Sequence, residues 1–336
     1  MNLFTQSCDD WRIENKLWDH KTNFQFHATM SETQPLIRST SDRSFPSRGS
    51  GQTEENETCC TALLAELKWQ NFLLKHSRED LFYSCQWDWS PIVFVMYRLA
   101  AAGYSFTVLI LSILYYDSKK WNHYPWPVWL THWSFFILTA HFVLAALLTV
   151  LYSCERGRCF QRWSLRSSVY SFMPDAELDG FSSSIPPTPV PWYIKLDWLL
   201  YNLSSIAAII VTVVFFSTLY RMLNPHGGLD WSDGTLHLSN SLLVLVDVSL
   251  CAIPVRVLHG FYCLIYGVLY AVFSIIYWTI DHNNILYPKV LDWNNPLPTA
   301  VLVLFLLIII VPLMQISFFG LYKFRVYIYK YIYMHD

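Results

Sequence analysis

Long apolar segments separated by short polar connections fill the chain from residue 91 to residue 322. A helix needs about 20 mostly apolar residues to cross a bilayer, and six segments reach that length. Trp or Tyr bounds the segments at one end or both, which is typical of helices that end at the membrane–water interface. The predicted spans are 91–116, 126–152, 193–220, 238–255, 257–280 and 298–322.

The fourth and fifth spans nearly touch, and together they have the length of two crossings. The break between them is Pro254-Val255-Arg256. Proline cannot continue an α-helix because it lacks the backbone N–H and clashes with the preceding turn. The sequence therefore predicts a helical hairpin at this point rather than one long helix.

The flanking segments are more polar. Residues 1–60 are rich in Ser, Thr, Glu, Asp, Asn and Arg, which predicts a disordered cytoplasmic tail. This stretch lacks a basic region followed by an apolar one, so we expect an uncleaved first span rather than a signal peptide. Within a juxtamembrane segment, 61–90, residues 61–76 are predicted to form a short amphipathic helix that lies on the membrane or on the cytoplasmic loops. Residues 91–322 are the predicted transmembrane domain, and 323–336 a cytoplasmic tail.

Composition agrees with a chain that lipid partly solvates. Of 336 residues, 54% are hydrophobic and 14% are charged, and the mean hydropathy is +0.28. Average soluble domains carry about 25% charged residues, so a soluble two-domain protein is excluded. The net charge of −2 gives no sign of a nucleic-acid partner. The predicted fold class is all-α, a polytopic transmembrane bundle of six helices.

Lys and Arg near the spans predict the orientation, because cytoplasmic loops are enriched in them. The bias favours a cytoplasmic N-terminus, C-terminus and second loop. Lys119 and Lys120 are the discordant pair. The residues that support this orientation are Arg156, Arg158, Arg162, Arg166, Arg256, Lys323, Arg325 and Lys330, and those opposed are Lys119, Lys120, Arg221 and Lys289.

The cysteines do not predict a disulfide framework, because the predicted cytosolic side is reducing. Cys251 and Cys263 lie in predicted spans and are interpreted as packing residues. The other cysteines singled out lie close to predicted membrane-proximal segments. They are candidates for palmitoylation: Cys59, Cys60, Cys154 and Cys159.

Arg98, Asp197 and Asp247 are charged residues that lie well inside the predicted spans, where an unpaired charge costs about 2.5–3.5 kcal/mol. Arg98 and Asp197 lie at similar depth, so we expect an Arg98–Asp197 ion pair that is structural rather than part of a transport site. Asp247 lies about 15 Å into the fourth span at the helical rise, with no basic residue at a matching depth. We expect Asp247 to be protonated or hydrogen-bonded to Ser, Thr or His.

The histidines near the spans allow two chemical interpretations. One is haem ligation by paired histidines, which is disfavoured because only His141 lies well inside a helix and His132 points elsewhere. The other is hydrolysis by a hydroxyl nucleophile with a histidine base. Thr131 and His237 suit that chemistry, since both are predicted near the outer ends of their helices. A Thr and a His at similar depth are, however, more often packing residues.

Short motifs at the starts of the first two spans and through the fourth and fifth spans carry a family resemblance. They are Phe82-Tyr83-Ser84-Cys85-Gln86-Trp87, Met96-Tyr97-Arg98, Trp129-Leu130-Thr131-His132-Trp133, His237-x-x-Asn240, Leu245-Val246-Asp247, Ala252-Ile253-Pro254-Val255-Arg256, Tyr266-Gly267-x-x-Tyr270 and Leu286-Tyr287-Pro288-Lys289-Val290-Leu291-Asp292-Trp293. Together they resemble the rolling stone family of insect multi-pass membrane proteins. The resemblance covers about residues 80–330, and Lys289 interrupts the expected run Tyr-Pro-Val-Leu-Asp-Trp.

This resemblance implies a plasma-membrane protein linked to myoblast fusion during muscle development. It implies no biochemical activity. A second, shorter likeness suggests one: Leu130-Thr131 at the start of a helix, and His237 followed ten residues later by Asp247, are similar to the androgen-induced intramembrane threonine hydrolases. That likeness implies Thr131 as nucleophile and His237 as its base, acting on fatty-acid esters of hydroxy fatty acids.

Two functions therefore stay open. The first is a non-enzymatic protein of cell–cell fusion, whose short outer loops would require it to act with partners or through lipid. The second is an intramembrane hydrolase with a lipid-ester substrate, so whether the protein is an enzyme is left open. A transporter ranks third, because the chain shows neither an internal repeat nor a pair of broken helices. Membrane lipid is the expected partner, and no cofactor or metal is predicted.

Overall fold

The structure is a computed structural model that describes residues 66–76, 78–118, 123–158, 190–220, 228 and 231–333, apart from the side chains of 155–158 and 232. The predicted disordered tail, 1–60, lies outside these residues. Other predictions that lie outside them concern Cys59, Cys60, Cys159, Lys119, Lys120, Arg162, Arg166, Arg221 and the side chains of Arg156 and Arg158.

Six long helices follow one another along the described residues. Helix α1 is Pro91–Leu114, and α2 is Leu130–Arg158. Helix α3 is Trp192–Val214, continued by the π-helical turn Phe215–Leu219. Helix α4 consists of Trp231–Asp233, the π-helical turn Gly234–Leu238 and Ser239–Leu250. Helix α5 is Gly260–Ile280 after the 3-10 turn Val257–His259, and α6 consists of Pro296–Phe305, the π-helical turn Leu306–Ile310 and Val311–Tyr333.

Five of these helices, α1, α2, α3, α5 and α6, are long and apolar enough to cross a membrane. The sixth, α4, contains the shorter apolar stretch Gly234–Leu250. The predicted all-α transmembrane bundle is therefore confirmed, and six crossings fit it. The cytoplasmic location of both termini stays a prediction.

Helix α3 packs against α2, α4, α5 and α6 and so lies at the centre of the bundle. Several of its buried residues are small, including Ser204, Ser205 and Ala208. Small residues allow neighbouring helices to approach closely in a membrane, where van der Waals contact drives association. Near the start of α3, the fully buried Trp198 donates its indole N–H to the Pro254 carbonyl at 2.8 Å. Through that bond α3 also holds the chain that follows α4.

Asp247, and not Asp197, is the partner of Arg98, so the predicted Arg98–Asp197 ion pair is wrong. Arg98 Nη1 donates to Asp247 Oδ1 at 2.8 Å, and the two side chains are 0% and 2% exposed. The sequence placed Asp247 deep in a span over 238–255, but α4 ends at Leu250. Asp247 therefore lies within one turn of the end of α4, and that end meets the chain just before α1.

His141 of α2 extends this ion pair into a cluster of four charged groups. Its Nδ1 lies 2.9 Å from Asp197 Oδ1, and its Nε2 lies 3.3 Å from Asp247 Oδ2. Both ring nitrogens of a histidine are donors only in the imidazolium form, so this geometry favours a charged His141. With Arg98, the cluster then holds two cations and two anions. Such balance offsets part of the cost of removing each charge from water.

After α4 the chain is extended through residues 251–256. Pro254 explains the break, because it lacks an N–H and disfavours helical geometry in the residue before it. Non-helical backbone at membrane depth is tolerated only where protein or water satisfies it. Here the segment before α1 does so, since Gln86 N–H donates to the Leu250 carbonyl at 2.7 Å.

Helix α6 continues to Tyr333, past the predicted end of the last span at residue 322. Arg325, which the sequence placed in a cytoplasmic tail, is only 4% exposed. Its guanidinium donates to the carbonyls of Val248 and Ile253, at the end of α4 and just beyond it. A cation is favourable there because the last carbonyls of a helix carry partial negative charge. Arg325 is thus a structural residue rather than a signal of orientation.

In the described part of the predicted amphipathic helix, 66–76, Glu66 is helical and the 3-10 turn Trp69–Phe72 follows it. Specific contacts hold this part against the start of α5. Arg256 Nη1 donates to Glu66 Oε1 at 2.9 Å, and the Tyr262 hydroxyl donates to the Phe72 carbonyl at 2.8 Å. That carbonyl is therefore bonded to another part of the protein instead of continuing a helix.

Replacing Arg98 by Met should lower the free energy of unfolding by about 3–5 kcal/mol, because Asp247 would stay buried without its guanidinium partner. Arg98→Met combined with Asp247→Asn should recover part of that loss. Denaturant unfolding of the purified protein in detergent micelles measures both effects.

Arg78→Met is the matched control. Arg78 pairs with Asp80 at 2.7 Å, but the Asp80 side chain is 42% exposed, and exposed pairs contribute less than about 1 kcal/mol. Equal losses for Arg98→Met and Arg78→Met would contradict a central role for the buried cluster.

Candidate functional site

A cavity of about 650 Å³ lies between the helices, at the end of the bundle where α1 ends and α2 begins. The loops 115–129 and 281–295 border it together with the start of α4. Its polar lining lies at this end and includes Tyr116, Thr131, His132, Asp233 and His237. Farther in, the lining is apolar and includes Leu203, Ile206, Ile210, Leu307 and Val311.

The cavity extends along much of α3. On α3 its lining extends from Leu203 to Leu219, which is roughly 24 Å at the helical rise. The hydrocarbon core of a bilayer is about 30 Å thick. A cavity of this length can hold a chain-like ligand. Ligand pockets typically combine an apolar wall with a few polar groups that fix orientation.

All three π-helical turns among the described residues contribute to this lining. Phe215–Leu219 provides Phe215, Gly234–Leu238 provides His237, and Leu306–Ile310 provides Leu307. A π-helical turn widens the helix and rotates the side chains that follow it, and such turns occur frequently at functional sites. Their common location therefore marks this cavity as the candidate functional site.

Two tyrosines from distant parts of the chain hold the start of α2, where Thr131 lies. The hydroxyls of Tyr270 and Tyr287 accept from the Leu130 N–H at 3.0 and 2.8 Å. The first N–H groups of a helix lack partners within the helix, so these hydroxyls act as an N-terminal cap. Tyr270 in turn donates to the Val128 carbonyl at 2.8 Å, and Tyr287 also hydrogen-bonds Thr131.

Tyr287 lies in the loop between α5 and α6, outside the spanning helices. Burial raises the pKa of its phenol above the usual value because the phenolate would lose its hydration. The hydroxyl therefore keeps its proton at neutral pH and can both donate and accept at the start of α2.

His237 lies on the π-helical turn of α4 and packs face to face on Phe215. The ring centroids are 3.6 Å apart and the planes differ by 5°. Its backbone carbonyl accepts from the Thr212 hydroxyl, which fixes the turn against α3. Nδ1 is buried and has no hydrogen-bond partner among the described residues. Because protein encloses this nitrogen, it does not open onto the cavity.

The two predicted site residues, Thr131 and His237, thus line one cavity. The described contacts include no hydrogen bond between them, and Thr131 bonds Tyr287 instead. Asp247, the acid that follows His237 on the same helix, is held by Arg98 and His141. It belongs to the charged cluster and does not orient His237.

Three further histidines that the sequence placed in or near the spans have contacts of their own. His132 stacks on Trp126 at 4.4 Å, and its Nδ1 bonds the Trp126 carbonyl. Both nitrogens of His141 face carboxylates, so neither is free to bind iron. His259 lies next to Trp198, near the end of the bundle opposite the cavity mouth.

The sequence missed the tyrosine cap and the π-helical turns. Tyr270 and Tyr287 both occur in the motifs that carry the family resemblance. Their presence in those motifs was the signal in the sequence that could have singled them out. Nothing in their spacing connects them to Leu130, because 140 and 157 residues separate them from it.

Tyr270→Phe combined with Tyr287→Phe should free the Leu130 N–H and loosen the first turn of α2. We expect amide hydrogen exchange at residues 130–134 to become about fivefold faster, since the one capped donor, the Leu130 N–H, loses about 1 kcal/mol of stabilisation. Tyr277→Phe is the control, because the Tyr277 ring packs in the same aromatic cluster on Tyr124 and Phe273. Equal exchange in the double variant and the control would refute the cap.

Comparison with known proteins identifies the family to which this chain belongs. The family described as "Protein rolling stone" matches residues 55–334. Protein rolling stone of Drosophila melanogaster is 27% identical over 282 residues, which cover 79% of this chain and 90% of that protein. No solved structure matches this chain significantly. The matched range contains the six helices, the charged cluster and the cavity, and the chain belongs to the rolling stone family.

Proposed function

We propose that this protein acts at the plasma membrane in cell–cell fusion, as in the fusion of myoblasts, and that it does so by binding lipid. Membership of the rolling stone family supports the cellular role. The observation that carries the molecular part is the long cavity with its polar groups at one end. Such a cavity matches one lipid chain whose polar head lies near the membrane surface.

The loops at the cavity end support action through lipid rather than through an adhesive domain. The loop 281–295 packs against the bundle, with Leu286, Tyr287, Val290 and Leu291 all buried. In the loop 115–129, Tyr124 is buried and its hydroxyl donates to the Asn283 carbonyl at 3.0 Å. The described parts of these loops thus pack on the bundle through buried side chains.

Polar contacts would determine which lipid the cavity holds. Its apolar part resembles the interior of the bilayer, so the free energy of a hydrocarbon chain changes little when the chain moves from one to the other. Binding is more favourable for a head group, because the hydroxyl of Thr131 and the imidazoles of His132 and His237 can form hydrogen bonds with it. We therefore expect the protein to select lipids by their head groups and to remove them from the surrounding leaflet.

Filling the cavity should block the fusion function without unfolding the bundle. Ala207 lies on α3 in the cavity wall, and Ala207→Phe would occupy its apolar part. Two cell populations that carry complementary halves of a reporter, both expressing the protein, measure fusion. We expect Ala207→Phe to lower the fusion signal at least fivefold at equal surface expression, measured by surface biotinylation.

Ala100→Phe is the matched control, since Ala100 is exposed on the outer face of α1 and does not line the cavity. It should fuse cells as the unaltered protein does. Equal activity of all three proteins would exclude a role of the cavity in fusion. Absence of the protein from the cell surface would exclude the plasma membrane as its site of action.

Hydrolysis of a lipid ester, such as a fatty-acid ester of a hydroxy fatty acid, is the second candidate function. The presence of Thr131 and His237 in one cavity favours it. In this reaction Thr131 Oγ1 would attack the ester carbonyl while His237 takes its proton. The alcohol would leave with that proton, and water would then release the fatty acid from Thr131. Thr131 must first exchange its bond to Tyr287 for one to His237.

A fluorophosphonate probe tests this chemistry, because it labels activated hydroxyl nucleophiles. Purified protein in micelles should be labelled, Thr131→Ala should lose the label, and His237→Gln should react at least tenfold more slowly. Thr139→Ala is the control, since Thr139 lies on the same helix and bonds the Phe135 carbonyl. Folded protein that takes up no label, or label that persists in Thr131→Ala, would rule out Thr131 as nucleophile.

A further inference from the structure

Two cysteines, Cys85 and Cys251, face each other where the chain before α1 meets the chain after α4. They form an antiparallel β-bridge. The bonds that flank the bridge run from Gln86 N–H to the Leu250 carbonyl at 2.7 Å and from Ala252 N–H to the Ser84 carbonyl at 3.1 Å. Cys85 and Cys251 therefore form the non-hydrogen-bonded type of antiparallel pair.

This type of pair has the geometry that a disulfide requires. Directly opposed residues in a non-hydrogen-bonded pair have Cα atoms about 4.5 Å apart and side chains on the same face. Disulfides join cysteines whose Cα atoms are about 4.4–6.8 Å apart. The backbone thus needs little movement to place Sγ of Cys85 against Sγ of Cys251.

Both cysteines are thiols in this structure, and each thiol has its own acceptor. Cys85 Sγ donates to the Leu250 carbonyl at 3.3 Å, and Cys251 Sγ donates to Asp247 Oδ1 at 3.0 Å. Rotation about the Cα–Cβ bonds would bring the two sulfurs together. Asp247 would then lose one donor while it keeps Arg98 and Tyr97.

We propose that Cys85 and Cys251 form a reversible disulfide by exchange with a small-molecule disulfide such as oxidised glutathione. The Cys85 thiolate attacks one sulfur of glutathione disulfide, which breaks the S–S bond and releases one glutathione thiolate. The Cys251 thiolate then attacks the Cys85 sulfur of the mixed disulfide and releases the second. Two protein thiols are oxidised, one glutathione disulfide is reduced, and the two thiol protons pass to the glutathione thiolates.

Exposure determines the order of these steps. Cys85 is partly exposed and Cys251 is 0% exposed, so the external disulfide reaches Cys85 first. Burial raises the pKa of the Cys85 thiol, which keeps the thiolate fraction small at neutral pH. The exchange is therefore slow near pH 7 and speeds up close to tenfold per pH unit, as long as the pH stays below that pKa.

The disulfide would add a covalent link between two parts of the fold that now meet through noncovalent contacts. It would fix the start of α1 to the end of α4, next to the charged cluster around Asp247. In the orientation that the sequence predicts, this end faces the cytosol, where disulfides are usually transient and respond to oxidants. The pair would then report the glutathione redox state to the centre of the bundle.

Peptide mass spectrometry of the full-length protein in micelles tests the proposal. The folded protein is incubated with oxidised glutathione at pH 7.0 and 8.5, and free thiols are then alkylated. We expect a linked Cys85–Cys251 peptide that forms faster at pH 8.5 and disappears after dithiothreitol. Cys85→Ser and Cys251→Ser should lose the link, whereas Cys263→Ser, which alters a buried thiol on α5, should keep it.

Cys154, which is exposed on α2, reports that the oxidant is active. Modification of Cys154 without a Cys85–Cys251 link in the unaltered protein would overturn the proposal, whether or not the Ser variants fold. A stable glutathione adduct on Cys85, or a link that forms only in denaturant, would overturn it as well.

Discussion

The buried ion pair between Arg98 and Asp247 is the interaction on which the rest of the bundle depends. Through His141 and Asp197 it connects four helices at one level, α1 to α4. Each of these charges would be costly alone in a membrane. Together the two cations and the two anions balance in charge, and removing any one of them would leave a buried charge unpaired. The register and rotation of four helices are therefore constrained at one point.

Helix α3 carries this constraint to the candidate site. In its first turns, Asp197 belongs to the charged cluster, and Trp198 hydrogen-bonds the chain that follows α4. Its last turns, from Leu203 to Leu219, form a wall of the cavity. The cluster and the cavity thus lie toward opposite ends of one central helix. A change at the Cys85–Cys251 pair, which adjoins Asp247, could reach the cavity by this route.

The predictable parts of the structure were those that depend on local sequence. The first, third and fifth spans were found close to their bounds because apolar length is read directly from the chain, whereas α4 and α6 differ more from the prediction. Thr131 and His237 lie at one end of the bundle, as expected. The pairing of charges was not predictable in the same way. The predicted depths paired Arg98 with Asp197. In the structure α4 ends at Leu250 rather than at the predicted Val255, and Asp247 therefore lies at the level of Arg98. Depth also says nothing about which face of a helix a residue occupies.

The sequence alone determined that this chain is a helical membrane protein and which family it resembles. These properties depend on the apolar length of each segment and on short motifs. Only the tertiary structure decided which charges pair, where the tyrosine cap forms, that a cavity joins Thr131 to His237, and that Cys85 lies opposite Cys251. Those contacts depend on the rotation of each helix and on the breaks and π-helical turns within it, since a small change in either moves a side chain to another face.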